Sequence, residues 1–550
     1  METLVYKIED PKNAPRQIAA AAALLKAGEV VAIPTETVYG LAANALDPAA
    51  VKKIFEAKGR PQDNPLIVHI AEKEALYEIA AEVPEAALKL ADAFWPGPLT
   101  VILPKKPCIP DAVSGGLSTV AVRMPSHPTA RAIIRAAGVP LAAPSANLSG
   151  FPSPTTAGHV LDDMNGRVPM IVDGGPCGFG IESTVITLAG DKPRILRPGA
   201  VTPEQIRAAI GETQVDEAVL KPLKEGAAAA SPGMKYRHYS PNAAVSVVPG
   251  DLKTFVSYVL RHREEADHCL CFEGEEAFLP LPAFTYGRAD EPLSQTRRLF
   301  DALRELDEAG ASRVFARAPV PEGIGLGVCN RLYRAAGFTF LTDPPENQGM
   351  ILGICGASGA GKSTFCSLLA QKGAVIADAD AAAREVMRAG SPVLEALCAA
   401  FGADILLPDG SLDRGKLSER AFRDQESTRK LNAVTHPAIL RLLVRTAFDA
   451  FHAGKTAVID APLLFTAGLD RLCDLTAVVT APEEVRRRRI AARDGLSDAA
   501  IDARFIAQRG EAEKAAAADI ILRNYPPFTP EKECGRLTDT IEAYKKERNI

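Results

Sequence analysis

With 550 residues the chain is too long for one hydrophobic core, and about three or four domains are expected. Hydrophobic residues at 47%, charged residues at 24% and a net charge of −5 are ordinary for a globular protein; they argue against a strongly basic nucleic-acid binder and against direct DNA binding, while leaving room for a local basic groove. Ten scattered cysteines without a C-x-x-C pair, no signal peptide, and an apolar stretch, Ile18 to Leu25, cut short by Lys26 and Glu29 point to a cytoplasmic protein with free thiols and no membrane span.

In chain order, Pro15 to Ala27 reads as an amphipathic helix ended by Gly28, and Val30 to Ile33 as a strand running into the polar segment Pro34 to Gly40. The next helix starts at Asp47 or Pro48 and carries the chain to Lys58-Gly59-Arg60-Pro61. Arg60 precedes a proline, which favours extended geometry, so Lys58 and Arg60 are expected to project to the same side and to suit a polyphosphate. Polar clusters then recur at the ends of apolar runs. They are Asn64-Pro65 before Leu66 to Ile70 with His69, Trp95 to Pro98 before Leu99, Ser118-Thr119 leading to Arg123, and Pro144 to Asn147. That recurrence is what an α/β enzyme displays around a ligand crevice. Each cluster alone is equally open to a structural role: His69 as a core histidine, Trp95 as packing, Asn147 as a helix cap.

Taken together, these segments resemble threonylcarbamoyl-AMP synthase, the YrdC-like family. The resemblance covers nearly all of residues 1–210 and rests on Pro34 to Gly40, Lys58 to Pro61, Asn64 to Leu66, Trp95 to Thr100, Arg123 to Pro125, Pro144 to Gly150, Gly178 to Thr184 and Arg197 to Gly199. It implies a twisted mixed sheet with helices and the synthesis of threonylcarbamoyl-adenylate and pyrophosphate from L-threonine, bicarbonate and ATP. The product feeds a tRNA modification, with downstream tRNA-modification proteins as partners. Carried over by motif, Lys58 and Arg60 balance charge during catalysis. Arg60, Asn64, Thr119, Ser145, Asn147, Ser153 and Arg197 are the expected ATP contacts, and Thr37, His69, Arg123, Ala143 and Ser183 the expected threonine contacts. The sequence offers no protein nucleophile, so catalysis reads as positioning and electrostatics, which can supply ~7–11 kcal/mol.

Thr213 to Ala230 reads as a flexible connector within a linker at 211–242, and Ser231 to Pro241 is basic, aromatic and bounded by prolines. It resembles the lid-like linker of the two-domain form of the same family, with Tyr236 on the nucleotide. Strands at Ala244 to Val248, Leu270 to Phe272 and Val314 to Ala316, helices at Thr254 to His262 and Gln295 to Ala309, and the run around Asn330-Arg331-Leu332 match that family's small α/β domain, at 243–345. Cys269 and Cys271 beside His268 read as strand packing rather than a metal site.

Gly356-Ala357-Ser358-Gly359-Ala360-Gly361-Lys362-Ser363-Thr364 fits the phosphate-loop pattern G-x-x-x-x-G-K-[ST], between a strand at Ile351 to Cys355 and a helix at Lys362 to Gln371. Backbone N–H groups of such a loop cradle phosphate oxygens. Lys362 is expected at the β- and γ-phosphates, and Ser363 with Asp460 at Mg²⁺. Asp378-Ala379-Asp380 ends a further strand, with Arg384 one helical turn on, and the four arginines Arg486 to Arg489 read mostly as a solvated helix face. Arg493-Asp494-Gly495, Ser497 to Arg504 and Gln508 read as an arginine-bearing lid. Together with Asp460 to Phe465, His436-Pro437 and Asn524, these features resemble dephospho-CoA kinase over most of 350–525, within a phosphate-loop kinase domain at 350–550 that has a parallel sheet. The resemblance implies transfer of the ATP γ-phosphate to the 3′-hydroxyl of dephospho-CoA, the last step of coenzyme A synthesis. Asp380 is the expected base with Asp378 in support, Lys362 and Arg493 stabilise charge, and Arg384 binds substrate. Thr466 stands where the family usually has Glu, and Cys355 and Ala357 vary the run around the first loop glycine. An RNA-binding first half and a different small-molecule kinase in the second half remain open alternatives.

Overall fold

The computed structural model describes residues 2–222, 239–343, 348–508, 510, 513 and 515–548. It divides into two compact units. One comprises Met1–Pro249, Glu264–Glu276 and Leu281–Leu341, and the other Gly250–Arg263, Ala277–Pro280 and Thr342–Ile550.

The first unit is built on an eleven-stranded mixed sheet. From edge to edge its strands are Leu4–Lys7, Met170–Asp173, Val31–Ile33, Gly40–Asn44, Leu141–Ala142, Ile67–His69, Thr119–Arg123, Leu99–Pro104, Thr184–Thr187, Arg194–Arg197 and Gln214–Val215. The central strands are short and apolar because both faces are covered. Successive side chains point to opposite faces, so Val31 and Ile33 join a cluster with Ile18, Leu25 and Ile133, while Ala32 joins the larger cluster of Tyr39, Leu41, Ile54 and Val68. Helices Pro15–Lys26 and Pro128–Ala137 supply the first of these covers. The connector expected from Thr213 is ordered at its start. Gln214–Val215 pairs in parallel with the Arg194–Arg197 strand and forms the edge of the sheet. Residues 223–238, which carry the rest of that connector and Tyr236, lie outside the described residues.

A second sheet in this unit has four parallel strands in the order Ala244–Val248, Arg313–Arg317, His268–Cys271 and Ala283–Thr285. Helices Pro292–Glu308 and Gly325–Ala335 pack on it through Leu299, Phe300, Leu303, Val328 and Leu332. Cys269 and Cys271 are buried in the third of these strands, where burial raises both thiol pKa values, that of Cys269 to about 12.

The second unit carries a five-stranded parallel sheet in the order Val375–Asp378, Thr456–Asp460, Met350–Cys355, Leu475–Thr480 and Ile520–Arg523. Its central strand is buried along its whole length and feeds the glycine-rich loop at its carboxyl end, where open parallel sheets bind ligands. The same unit takes in the helix Leu252–His262, expected within 243–345. Lys253 Nζ reaches Asp474 at 2.6 Å, and Ser257 bonds His452 at 2.8 Å. His436-Pro437 lies inside the 28-residue helix Gln425–His452. Among the described residues no helix is long and apolar enough to cross a membrane.

The extended segment expected at Lys58-Gly59-Arg60 is instead a helix end. Lys58 is the last residue of helix Pro48–Lys58, and Gly59 turns the chain in the left-handed region at φ 63°. The Gly59 and Arg60 amides donate to the carbonyls of Glu56 and Phe55 at 3.3 and 3.0 Å, a glycine-capped helix termination directly before the proline. Gly59→Ala should therefore cost about 1–2 kcal/mol of stability. Urea unfolding followed by fluorescence of Trp95, the only tryptophan in the chain, checks this in the first sheet's own core.

Candidate active sites

In the first unit one pocket gathers residues from eight separated segments. Thr35, Thr37, Arg60, His69, Arg123, Ala143, Ser145, Glu182, Ser183, Arg197 and Tyr239 line it. Its polar groups are held by short local bonds. Thr35 Oγ1 donates to the Val38 carbonyl at 2.6 Å and lies 2.9 Å from Thr37 Oγ1. Ser183 Oγ is 2.8 Å from Thr100 Oγ1. Arg197 donates to the Ser183 carbonyl and hydroxyl, each at 3.1 Å.

The pocket is rich in buried cations. Arg123 pairs with Glu36 at 2.6 Å, and both are buried. The Nε–H of Arg123 and the second carboxylate oxygen of Glu36 have no hydrogen-bond partner among the described residues, and the same is true of Arg60 Nε and Asn64 Oδ1. Burial lowers the Arg60 guanidinium to about 10, with Arg197 adding to the effect. Lys58 lies behind the pocket rather than on its wall. Its ammonium donates to the Ser145 carbonyl, to the Asn147 carbonyl at 2.5 Å and to Asn147 Oδ1 at 3.3 Å, three acceptors for three N–H groups. Burial, reinforced by Arg60, pulls its pKa well below the ordinary lysine value. Lys58 and Arg60 thus do not project side by side: Lys58 braces the Ser145–Asn147 turn, and Arg60 faces the pocket.

Ser145 Oγ donates to Asn147 Oδ1 at 2.5 Å, so Asn147 links the pocket wall to Lys58. Ser153 is buried and donates to Glu182 at 2.5 Å. Thr119 opens the strand that ends at Arg123, about 13 Å away along the chain at strand rise, and is not among the lining residues. His69 is fully enclosed. Its Nδ1 lies 3.2 Å from the Ile67 carbonyl, and burial with Arg123 nearby lowers its pKa to about 3, so the ring is neutral.

In the second unit the parallel sheet brings three carboxyl ends together. Ile354, Asp460 and Asp378 occupy one register row across adjacent strands, directly before the glycine-rich loop. Lys362, at the start of helix Lys362–Gln371, forms an ion pair with Asp460, whose other oxygen accepts from Cys366 at 3.3 Å. Ser363 and Thr364 stand exposed on the first turn of that helix. Gly361 has φ 92°, and a side chain there would collide with the Asn524 amide.

The loop's peptide planes are fixed from outside. Arg489 donates to the carbonyls of Gly359 and Ala360, both at 3.2 Å, and to that of Asn524 at 2.9 Å; Asn524 in turn donates to Ala360 at 2.8 Å. Gln508 accepts from the Ser358 amide at 2.9 Å and donates to its hydroxyl at 3.0 Å. Beside the loop lies a cavity of about 200 Å³ lined by Gly356, Ala357, Ala360, Pro462, Thr480, Arg486 and Gln508. The arginine run is therefore not a solvated face throughout. Arg489 braces the loop, Arg486 borders the cavity with its guanidinium 4.4 Å from the Phe505 ring, and Arg487 pairs with Asp502 at 2.5 Å. Asp378 caps helix Ala379–Val386 by accepting from Ala381 at 2.9 Å, whereas Asp380 and Arg384 are exposed on that helix. Arg493 is held at 2.7 Å by Asp494, which raises its pKa, and the charge of Asp380 adds to the shift.

The sequence matches three family models in order. Residues 23–199 match the Sua5, YciO and YrdC model, described as telomere recombination; residues 201–337 match the threonylcarbamoyl-AMP synthase C-terminal domain; residues 350–527 match dephospho-CoA kinase. Threonylcarbamoyl-AMP synthase of Bacillus subtilis (strain 168) is 48% identical over 329 residues, which span 58% of this chain and 93% of the relative. Dephospho-CoA kinase of Anaeromyxobacter dehalogenans (strain 2CP-C) is 46% identical over 176 residues, 32% of this chain and 83% of the relative. The chain belongs to both families, joined as a fusion. The crystal structure of P. abyssi Sua5 complexed with L-threonine has a TM-score of 0.58 at 44% identity, covering 62% of this chain and all of that one. The protein is thus a threonylcarbamoyl-AMP synthase and a dephospho-CoA kinase in one polypeptide. An RNA-binding first half and an unrelated kinase, both open from sequence, give way to these enzymes.

Three residues at the synthase pocket and one buried behind it escaped the sequence reading. Glu36 and Glu182 sit inside the quoted segments but are anions among cations. Tyr239 lies three residues beyond Tyr236, the linker's expected stacking group, and adopts a left-handed backbone at φ 63°. Arg331 is fully buried. The usable signal was an unpaired excess of buried cations, which requires carboxylates nearby.

Because the His69 pKa is lowered in the fold to about 3, the unfolded chain binds the proton first as pH drops below the ordinary value of 6.5. The synthase core should lose about 2 kcal/mol between pH 7 and pH 5 through this group. His69→Gln should flatten that part of the stability profile, read again by Trp95 fluorescence.

Proposed function

We propose that the synthase pocket joins L-threonine, bicarbonate and ATP into threonylcarbamoyl-AMP, with release of pyrophosphate and water, for a downstream tRNA modification. The supporting observation is that a single pocket holds two kinds of grip. Arg123 keeps a spare N–H beside Glu36, which suits a zwitterionic amino acid: the guanidinium takes the carboxylate, and the free oxygen of Glu36 faces the amino end. Arg60 and Arg197, with the hydroxyl of Ser145, offer a cationic wall for the triphosphate. Thr37, Ala143 and Ser183 bound the amino-acid side, and Asn64 and Ser153 support the nucleotide side. Lys58 keeps the Ser145–Asn147 turn in place. The wall's serines are bonded to Asn147, Thr100 and Arg197 rather than to a base, so the chain's contribution is to hold the threonine-derived carbamate in line with the α-phosphorus and to balance charge as pyrophosphate leaves.

In the kinase, the loop from Gly356 to Thr364 receives the phosphates of ATP, and the γ-phosphoryl passes to the 3′-hydroxyl of dephospho-CoA, giving coenzyme A. Asp380 takes the hydroxyl proton. It is exposed at the carboxyl end of the sheet, whereas Asp378 is spent on capping its helix. Arg493, which feels the charge of Asp380, and Arg384, exposed on the Asp380 helix, serve as groups for the moving charge and the acceptor. Asp460 and Ser363 offer only oxygen donors next to the loop, a set that fits Mg²⁺. When bound, that ion neutralises charge on the β- and γ-phosphates. Lys362 exchanges its ion pair with Asp460 for the phosphates, which frees the carboxylate for this role.

Pyrophosphate release should require threonine, bicarbonate and ATP together, and ADP release should require dephospho-CoA; one leaving product under all conditions overturns the dual reading. Arg123→Lys should raise the KM for threonine at least about tenfold, since a lysine cannot grip a carboxylate with two parallel bonds, and leave kinase turnover alone. Asp380→Asn should keep ATP affinity and lower kinase kcat by roughly 10²–10⁴. A near-normal rate removes Asp380 from the base role.

A further inference from the structure

The helix Gly325–Ala335 belongs to the small parallel-sheet domain, yet its Arg331 is wholly buried against the synthase domain. Arg331 Nε donates to the Glu182 carboxylate at 2.9 Å, and its NH2 group donates to the Glu182 carbonyl at 3.0 Å. The NH1 group donates to the Pro198 carbonyl and to Asn330 Oδ1 at 3.2 Å. Its neighbours anchor the same helix: Asn330 donates to the Val219 carbonyl at 2.6 Å and Arg334 to that of Ala218 at 2.8 Å. Glu182 is a wall of the synthase pocket, and its other oxygen accepts from Ser153.

Glu182 is an anion set among residues read as phosphate contacts. Left alone, it would draw Arg197 to itself, since the two already interact electrostatically. With Arg331 occupying one carboxylate oxygen and Ser153 the other, Arg197 is left on Ser183 and facing the pocket. We infer that Arg331 is a positioning residue for the nucleotide: by neutralising Glu182 from the small domain, it keeps Arg197 available to ATP. The small domain then has a defined task in the reaction, completing the charge balance of a pocket it does not line. Tyr239, whose ring lies 6.0 Å from the Arg331 guanidinium and 5.2 Å from the Phe300 ring, ties the end of the linker to the same arginine.

This inference rests on the reading of the pocket as a threonylcarbamoyl-AMP synthase site, and the test separates the two. In the full chain, wild type must first show pyrophosphate release dependent on threonine and ATP; without it, the reading itself fails. Given that activity, Arg331→Met should raise the KM for ATP about tenfold or more, with the KM for threonine changed less than threefold. The double variant Arg331→Met with Glu182→Gln should recover much of the ATP affinity, because it removes the uncompensated anion as well. A merely structural arginine would give no such recovery. An unchanged ATP KM in Arg331→Met, equal losses for both substrates, or no rescue by Glu182→Gln would overturn the inference. If Arg331→Met is unfolded by Trp95 fluorescence, Arg331→Lys with and without Glu182→Gln carries the same comparison.

Discussion

Buried charge has to be answered by buried charge or by hydrogen bonds, and that constraint organises the synthase half. Lys58, Arg60, Arg123, Arg197 and Arg331 are all withdrawn from water around one crevice. Each would be costly alone. Lys58 is satisfied by three oxygens of a single turn, Arg123 by Glu36, and Arg331 by Glu182 and two carbonyls. These partners leave over the Arg123 Nε–H and one Glu36 oxygen, which are the basis of the binding role proposed for the pocket.

The kinase half solves a different problem. Its phosphate loop needs amides free to face an anion, and an unsupported glycine-rich turn has too many conformations to present them. Arg489 and Asn524 take the carbonyls of Gly359 and Ala360, while Gln508 occupies the amide and hydroxyl of Ser358. The parallel sheet sets Asp460 and Asp378 in one row with the strand that enters the loop, so the acidic groups arrive by register rather than by loop geometry. Preorganisation here is a matter of backbone, whereas in the synthase it is a matter of side-chain charge.

Much of this was readable in the chain. The phosphate loop announces itself by spacing, and the strand and helix beside it follow from apolar runs and a helix start; helix Lys362–Gln371 has the bounds read from sequence. The strand Arg313–Arg317 came through as the apolar run Val314 to Ala316. The turn at Gly59 did not, because neither the glycine nor the proline says by itself where the helix stops, and only the two amide bonds to Phe55 and Glu56 show that Lys58 ends it. The edge strand Gln214–Val215 was read as linker, since two residues carry no usable period.

What the amino-acid sequence by itself determined is the order of the parts and the chemistry of their motifs: a polar crevice rich in arginine, then a small α/β domain, then a phosphate-binding loop with acidic strand ends. Those are local properties, set by residue type and spacing over a few positions. What only the tertiary structure decided is which charges meet. Arg331 and Glu182 are separated by 149 positions, Arg489 and Gly359 by 130, and Lys58 and Asn147 by 89. No periodicity links residues so far apart; the folding of each unit around its sheet brings them within hydrogen-bond reach, and burial then makes every such pairing obligatory.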